Sequence, residues 1–106
     1  LLLWLKGYRL RHRNWSCSSG ELDLVMRRRD TTVFVEVKAR PSERYGNPKS
    51  AVTPRKQRKI SMVALHYLKS TAQSRVKARF DVVAIHSASA APQIELIKNA
   101  FELAYG

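Results

Sequence analysis

The chain has 106 residues, 44% of them hydrophobic, and carries 20 Lys and Arg against 8 Asp and Glu, a net charge of +12. That length suits one domain with a modest core, and the apolar content excludes a disordered chain. The charge points to a polyanion as partner, nucleic acid ahead of a membrane surface, and no apolar run approaches the roughly 18 residues of a membrane helix.

Leu1 to Lys6 reads as the last turns of an apolar-faced helix, stopped by Gly7 as a C-cap. Its run of leucines is too short for the apolar core of a signal peptide. The chain begins with Leu, in mid-helix by this reading, so the expectation is the ordered part of a longer protein with a truncated N-terminal helix. Tyr8 to Trp15 alternates, with Tyr8, Leu10 and His12 on one face and Arg9, Arg11 and Arg13 on the other, as a half-buried strand does. Ser16 to Gly20 is a turn. It holds Cys17, the one cysteine, which rules out an internal disulfide and suits a reducing, cytoplasmic compartment.

Gly20 to Met26 and Thr32 to Lys38 read as two strands joined by a charged turn, Arg27 to Asp30. Side chains alternate along a strand. Val33, Val35 and Val37 are expected on one face, Phe34, Glu36 and Lys38 on the other, and Glu21, Asp23 and Val25 together on a face of the neighbouring strand. Ala39 to Thr53, with two prolines and a Gly-Asn pair, is a loop of a length that is usually functional or mobile. A helix starts at Thr53-Pro54, an N-cap followed by proline. Its apolar stripe is Ile60, Val63, Ala64, Tyr67 and Leu68, with Gln57 one turn before. Ser70 to Ala78 is a linker, Arg79 to His86 a buried strand, Ser87 to Pro92 a turn and Gln93 to Ile97 a short edge strand. Lys98 to Tyr105 is expected to close the chain as a helical turn or two. The order is α-β-β-β-α-β-β-α in a single domain spanning 1–106, an α/β architecture with a mixed sheet flanked by helices.

Burying charge is costly unless it is paired or binds a metal. Asp23, Glu36 and Lys38 sit on one hairpin of an otherwise apolar core. Magnesium, or manganese in its place, takes hard oxygen ligands and usually one or two protein carboxylates. Asp23 and Glu36 supply these, and the Val37 carbonyl could add a third oxygen. Lys38 could orient an attacking water or stabilise charge on a phosphate. Arg40 and Lys49 in the loop, with Arg55, Lys56, Arg58 and Lys59 on the helix, are the candidates for contact with a nucleic-acid backbone.

An acid on one strand followed by Glu-x-Lys on the next resembles the PD-(D/E)XK nuclease superfamily, with its restriction-endonuclease-like fold. More closely, Gly20 to Leu24, Phe34 to Arg40, Thr53 to Arg58 and Arg79 to Val83 resemble the small bacterial YraN-like family, which is similar to archaeal Holliday-junction resolvases. The resemblance implies a metal-dependent endonuclease acting on DNA, with branched or junction DNA as a candidate substrate and a homodimer as a candidate assembly. It casts Asp23 and Glu36 as metal ligands, Lys38 as the catalytic lysine and Gln57 as a helix glutamine near the metal or the scissile phosphate. A further acid that the superfamily carries in its first helix has no counterpart in residues 1 to 20 and is expected before Leu1.

The bland alternatives are specific. Asp23, Glu36 and Lys38 could form a buried ion-pair cluster, Glu21 could pair with an arginine, Gln57 could fill a helical turn, and Asp81 could be structural. His12, His66 and His86 have no ligand spacing for zinc. The alternative function is a catalytically inactive nucleic-acid-binding module of the same fold.

Overall fold

The computed structural model describes residues 7–40, 52–71, 77–86 and 93–101. Strands β1 (Arg9–Cys17), β2 (Gly20–Arg28), β3 (Thr31–Arg40), β4 (Lys77–His86) and β5 (Gln93–Phe101) form one sheet in that spatial order. Helix α1 (Pro54–Ser70) lies between β3 and β4 in the chain. Hairpin neighbours run antiparallel, while β3 and β4, separated by the helix, run parallel. The mixed α/β sheet is therefore as expected, with one helix among the described residues. The expected helix at 1–6 and most of the loop at 41–51 lie outside them.

α1 forms where its end signals put it. The Thr53 hydroxyl accepts a hydrogen bond from the Lys56 amide at 3.2 Å, and Pro54 takes the first helical position. Ile60, Val63, Ala64, Tyr67 and Leu68 recur at helical spacing and bury one stripe against Leu22, Val25, Phe34, Phe80 and Val82 of the sheet. Phe34 is the hub, stacked on Phe80 at 5.3 Å and edge-on to Tyr67 at 5.8 Å. Val33 and Val35 point the other way, into a second cluster with Tyr8, Met26 and Val83. The alternation expected for β3 is thus present. No helix among the described residues is long and apolar enough to cross a membrane.

Several boundaries differ from expectation. β1 runs on to Cys17, so its turn shrinks to Ser18-Ser19, and Arg27 and Arg28 belong to β2 rather than to a turn. Lys77 and Ala78, assigned to the linker, already pair with Thr31 and Thr32. Lys98 to Phe101 is strand, not helix. The reason is a buried carboxylate. Asp81 faces an irregularity in the β4–β5 ladder, and its Oδ1 accepts the Asn99 amide at 2.9 Å, holding β5 beside β4 as far as Phe101. Asp81 is fully buried and also accepts from the Tyr8 hydroxyl at 2.9 Å and Arg79 Nε at 3.0 Å. It is a structural anchor.

Candidate functional site at a fork in the sheet

The β2–β3 ladder runs from Arg28↔Thr31 to Leu24↔Val35. Beyond that pair β2 continues against β1 as far as Gly20, and β3 continues against β4 as far as Arg40. The two strands fork, and Asp23 stands on one arm and Glu36 on the other.

The fork is held by a side chain. Asp23 Oδ2 accepts the Val37 amide at 3.0 Å, taking a bond that a neighbouring strand would otherwise provide. A strand residue presents its N–H and C=O to the same edge. The Val37 carbonyl therefore faces the fork as well.

The alternation expected in β2 does not hold across Asp23. Leu22 and Val25, three residues apart, both bury in the helix-side core, and Glu21 is exposed. β1 shows the same break. His12 and Trp15 both meet Tyr67 edge-on, at 5.4 and 5.3 Å, with Asn14 between them in a left-handed conformation (φ 50°). Trp15 and the half-buried Cys17 pack against the helix-side core. Gly20 opens the arm. Its φ of 144° is one that L side chains rarely adopt, and a Cβ there would meet Val63 Cγ2 at 3.2 Å.

Glu36 is the centre of the charge cluster. Its Oε1 lies 3.5 Å from Lys38 Nζ and 3.4 Å from Lys56 Nζ, and its side chain is only 12% exposed. Burial, and then the nearby Asp23 charge, push its carboxyl above the ordinary carboxylate range. Burial and the neighbouring Lys56 hold Lys38 below a free lysine. Gly20, Glu21, Glu36, Lys56, Lys59 and Ile60 line a groove of about 240 Å³ leading to this cluster.

Asp23, Glu36, Val37 and Lys38 thus meet at the fork, and Lys56 joins them. From the sequence Lys56 is expected among the phosphate contacts. Its signal for the fork was its position in the first turn of a helix that follows the Glu-x-Lys strand. The Gln57 Nε2 donates to the Val52 carbonyl at 2.9 Å, bracing the entry to α1. Arg55, Arg58 and Lys59 are exposed on the start of α1, where cations oppose the helix dipole. The Arg40 side chain and Lys49 lie outside the described residues. Among the described residues no group of three or more His, Cys, Asp or Glu is placed to hold a metal ion. The donor set at the fork is two carboxylates and a carbonyl edge.

The profile described as "Uncharacterised protein family UPF0102" matches residues 1–85. The chain is 51% identical over 100 residues to a UPF0102 protein of Syntrophus aciditrophicus, an alignment covering 94% of this chain and 79% of that one. It is 52% identical over 98 residues to a UPF0102 protein of Geobacter metallireducens, covering 92% and 80%. A UPF0102 protein of Geobacter sulfurreducens is 54% identical over 99 residues, covering 92% and 77%.

Proposed function

As this chain belongs to the uncharacterised protein family UPF0102, whose name states no activity, its function has to be read from the fork, and we propose that it is a metal-dependent endonuclease hydrolysing phosphodiester bonds in DNA. The observation that carries this reading is the pair of carboxylates, Asp23 and Glu36, brought to one notch from diverging strands with two lysines on Glu36. The donor set suits magnesium or manganese: two hard carboxylate ligands and the Val37 carbonyl, the remaining positions being left to water and phosphate. A bound metal would polarise the scissile phosphate and activate water.

The chain's own residues do the rest. The Asp23–Val37 bond fixes one carboxylate at the strand edge. Burial at the fork keeps bulk water from screening Glu36, so its charge acts strongly on a cation. Lys38 and Lys56, both on one Glu36 oxygen, present ammonium groups to a phosphate arriving over the notch. Lys59, in the lining of the same groove, holds the adjoining backbone together with the exposed Arg55 and Arg58 of the same helical turns, and the helix N-terminus adds its positive end. The resemblance to PD-(D/E)XK nucleases and junction resolvases favours branched DNA as substrate.

The test is cleavage of a labelled four-way junction by the full-length protein with magnesium or manganese. Glu36→Gln and Lys38→Ala should abolish cleavage while leaving affinity in calcium near that of the parent. A parent that binds the junction without cutting it under either metal would leave a catalytically inactive nucleic-acid-binding module.

A further inference from the structure

We propose that Arg9, Arg11, Arg27 and Arg29 form a second nucleic-acid backbone site, at the far end of β2 from the fork and independent of metal. With Gly7 and Leu10 these residues line a concavity of about 540 Å³ between the start of β1 and the β2–β3 turn. Arg27 lies four residues along β2 from Asp23, about 13 Å at strand rise, so the fork carboxylates do not oppose an anion there.

The arrangement is built against the protein's own electrostatics. Arg9 stands directly opposite Arg27 in the ladder, and like charges so placed repel. The acid nearest in sequence, Asp30, is turned to Lys77 at 3.2 Å. Among the described residues none of Arg9, Arg11 and Arg29 has a carboxylate within ion-pair distance. Arg27 is aimed: its Nε donates to the Arg29 carbonyl at 3.1 Å, which leaves its two terminal nitrogens for a ligand. Arg29 itself holds a left-handed backbone (φ 56°), unusual for a long side chain.

Guanidinium forks match phosphate oxygens two at a time. A concavity of this size with four of them fits several phosphates of one backbone rather than a single small anion. A bilayer surface would want apolar anchors around the cations, and in this lining only Leu10, 44% exposed, is apolar. The ligand that fits is therefore a nucleic-acid strand or duplex arm. Only that identity rests on the nuclease reading above; the geometry stands without it.

The experiment titrates a labelled duplex DNA with the full-length parent and with the Arg9→Gln/Arg27→Gln double variant, in EDTA, across a salt series. The double variant should bind more weakly at low salt, with a slope of log K against log salt smaller by about 2, near 0.9 per lost phosphate contact. Its melting temperature should be equal to or above the parent's, because a repelling pair has been removed. Arg11→Gln, on the exposed edge strand, should flatten the slope by about 1. Slopes equal to the parent's in both variants would overturn the site, as would a parent that binds no DNA. Loss of binding to phosphatidylserine vesicles with DNA binding intact would overturn it in favour of a membrane. A parent that binds DNA through these arginines in EDTA yet cuts no four-way junction with magnesium or manganese supports the site and ends the nuclease reading, so the two fail separately.

Discussion

The Asp23 carboxylate accepts the Val37 amide at 3.0 Å across the point where β2 and β3 part. One side chain thereby does two things. It closes the edge of a strand that has lost its neighbour, and it fixes a negative charge beside Glu36. An unpaired buried amide is costly. The same carboxylate that could take a metal is therefore also what stabilises the parting of the strands.

Glu36→Gln should stabilise the protein when no metal is present. The Glu36 carboxyl is raised first by burial and then by Asp23. A carboxyl raised in the folded state favours folding when protonated. That contribution is complete below the unfolded value, 4.5, and is lost as pH climbs through the raised one. In EDTA the variant should melt with the parent at pH 4 and roughly 2–5 °C above it at pH 7.5, a shift of well under 1 kcal/mol to about 1 kcal/mol in a domain of this size. Magnesium should raise the parent's melting temperature and not the variant's. A variant several degrees less stable at pH 7.5 in EDTA would make Glu36 the centre of a structural ion pair instead.

What could be read from the sequence was whatever local chemistry dictates. Thr53-Pro54 and the Ile60 to Leu68 stripe fix a helix through capping and periodicity, and the Val33 to Val37 run fixes a strand with its two faces. Asp23, Glu36 and Lys38 were legible because charges do not otherwise sit in such a run. The missed features are tertiary. The break in alternation at Asp23 depends on a matching break at Asn14 in another strand. Lys56 reaches Glu36 only because the crossover returns the helix over the fork. Lys98 to Phe101 is strand because Asp81, eighteen residues from Asn99, takes its amide, and no local pattern in Lys98-Asn99-Ala100 signals that.

Gly20→Ala should destabilise the arm that carries Asp23. Alanine at φ 144° is strained, and its Cβ would lie 3.2 Å from Val63 Cγ2 and 3.4 Å from Lys59 Cε. Val63 is buried in the α1 stripe and can give little way. The expected cost is about 1–3 kcal/mol, read as a lower midpoint in urea. A midpoint equal to the parent's would mean that the Ser18-Ser19 turn and the start of β2 relax freely, and the positioning of Asp23 would then not depend on Gly20.

Asp81→Asn should be the more damaging substitution although it lies away from the fork. Asp81 and Tyr8 are both fully buried. The Asp81 carboxylate collects the Tyr8 hydroxyl, the Arg79 guanidinium and the Asn99 amide, which joins the start of β1, β4 and β5 through one group. Burial, and then the bond to Asp81, raise the Tyr8 hydroxyl above its ordinary value, so it stays a proton donor across the neutral range. Removing the carboxylate charge leaves the half-buried Arg79 without its counterion, at a cost of roughly 3–5 kcal/mol. Tyr8→Phe, which deletes one donor and keeps the ring, should cost about 1–2 kcal/mol. Because the two residues share a bond, their effects should fall short of additive in the double variant. DNA affinity per folded molecule should be unchanged in Tyr8→Phe. Urea unfolding of the three variants decides the matter: an Asp81→Asn midpoint close to the parent's would show that the carboxylate's charge does not hold these strands together, and Asp81 would then return to the list of groups in need of a functional explanation.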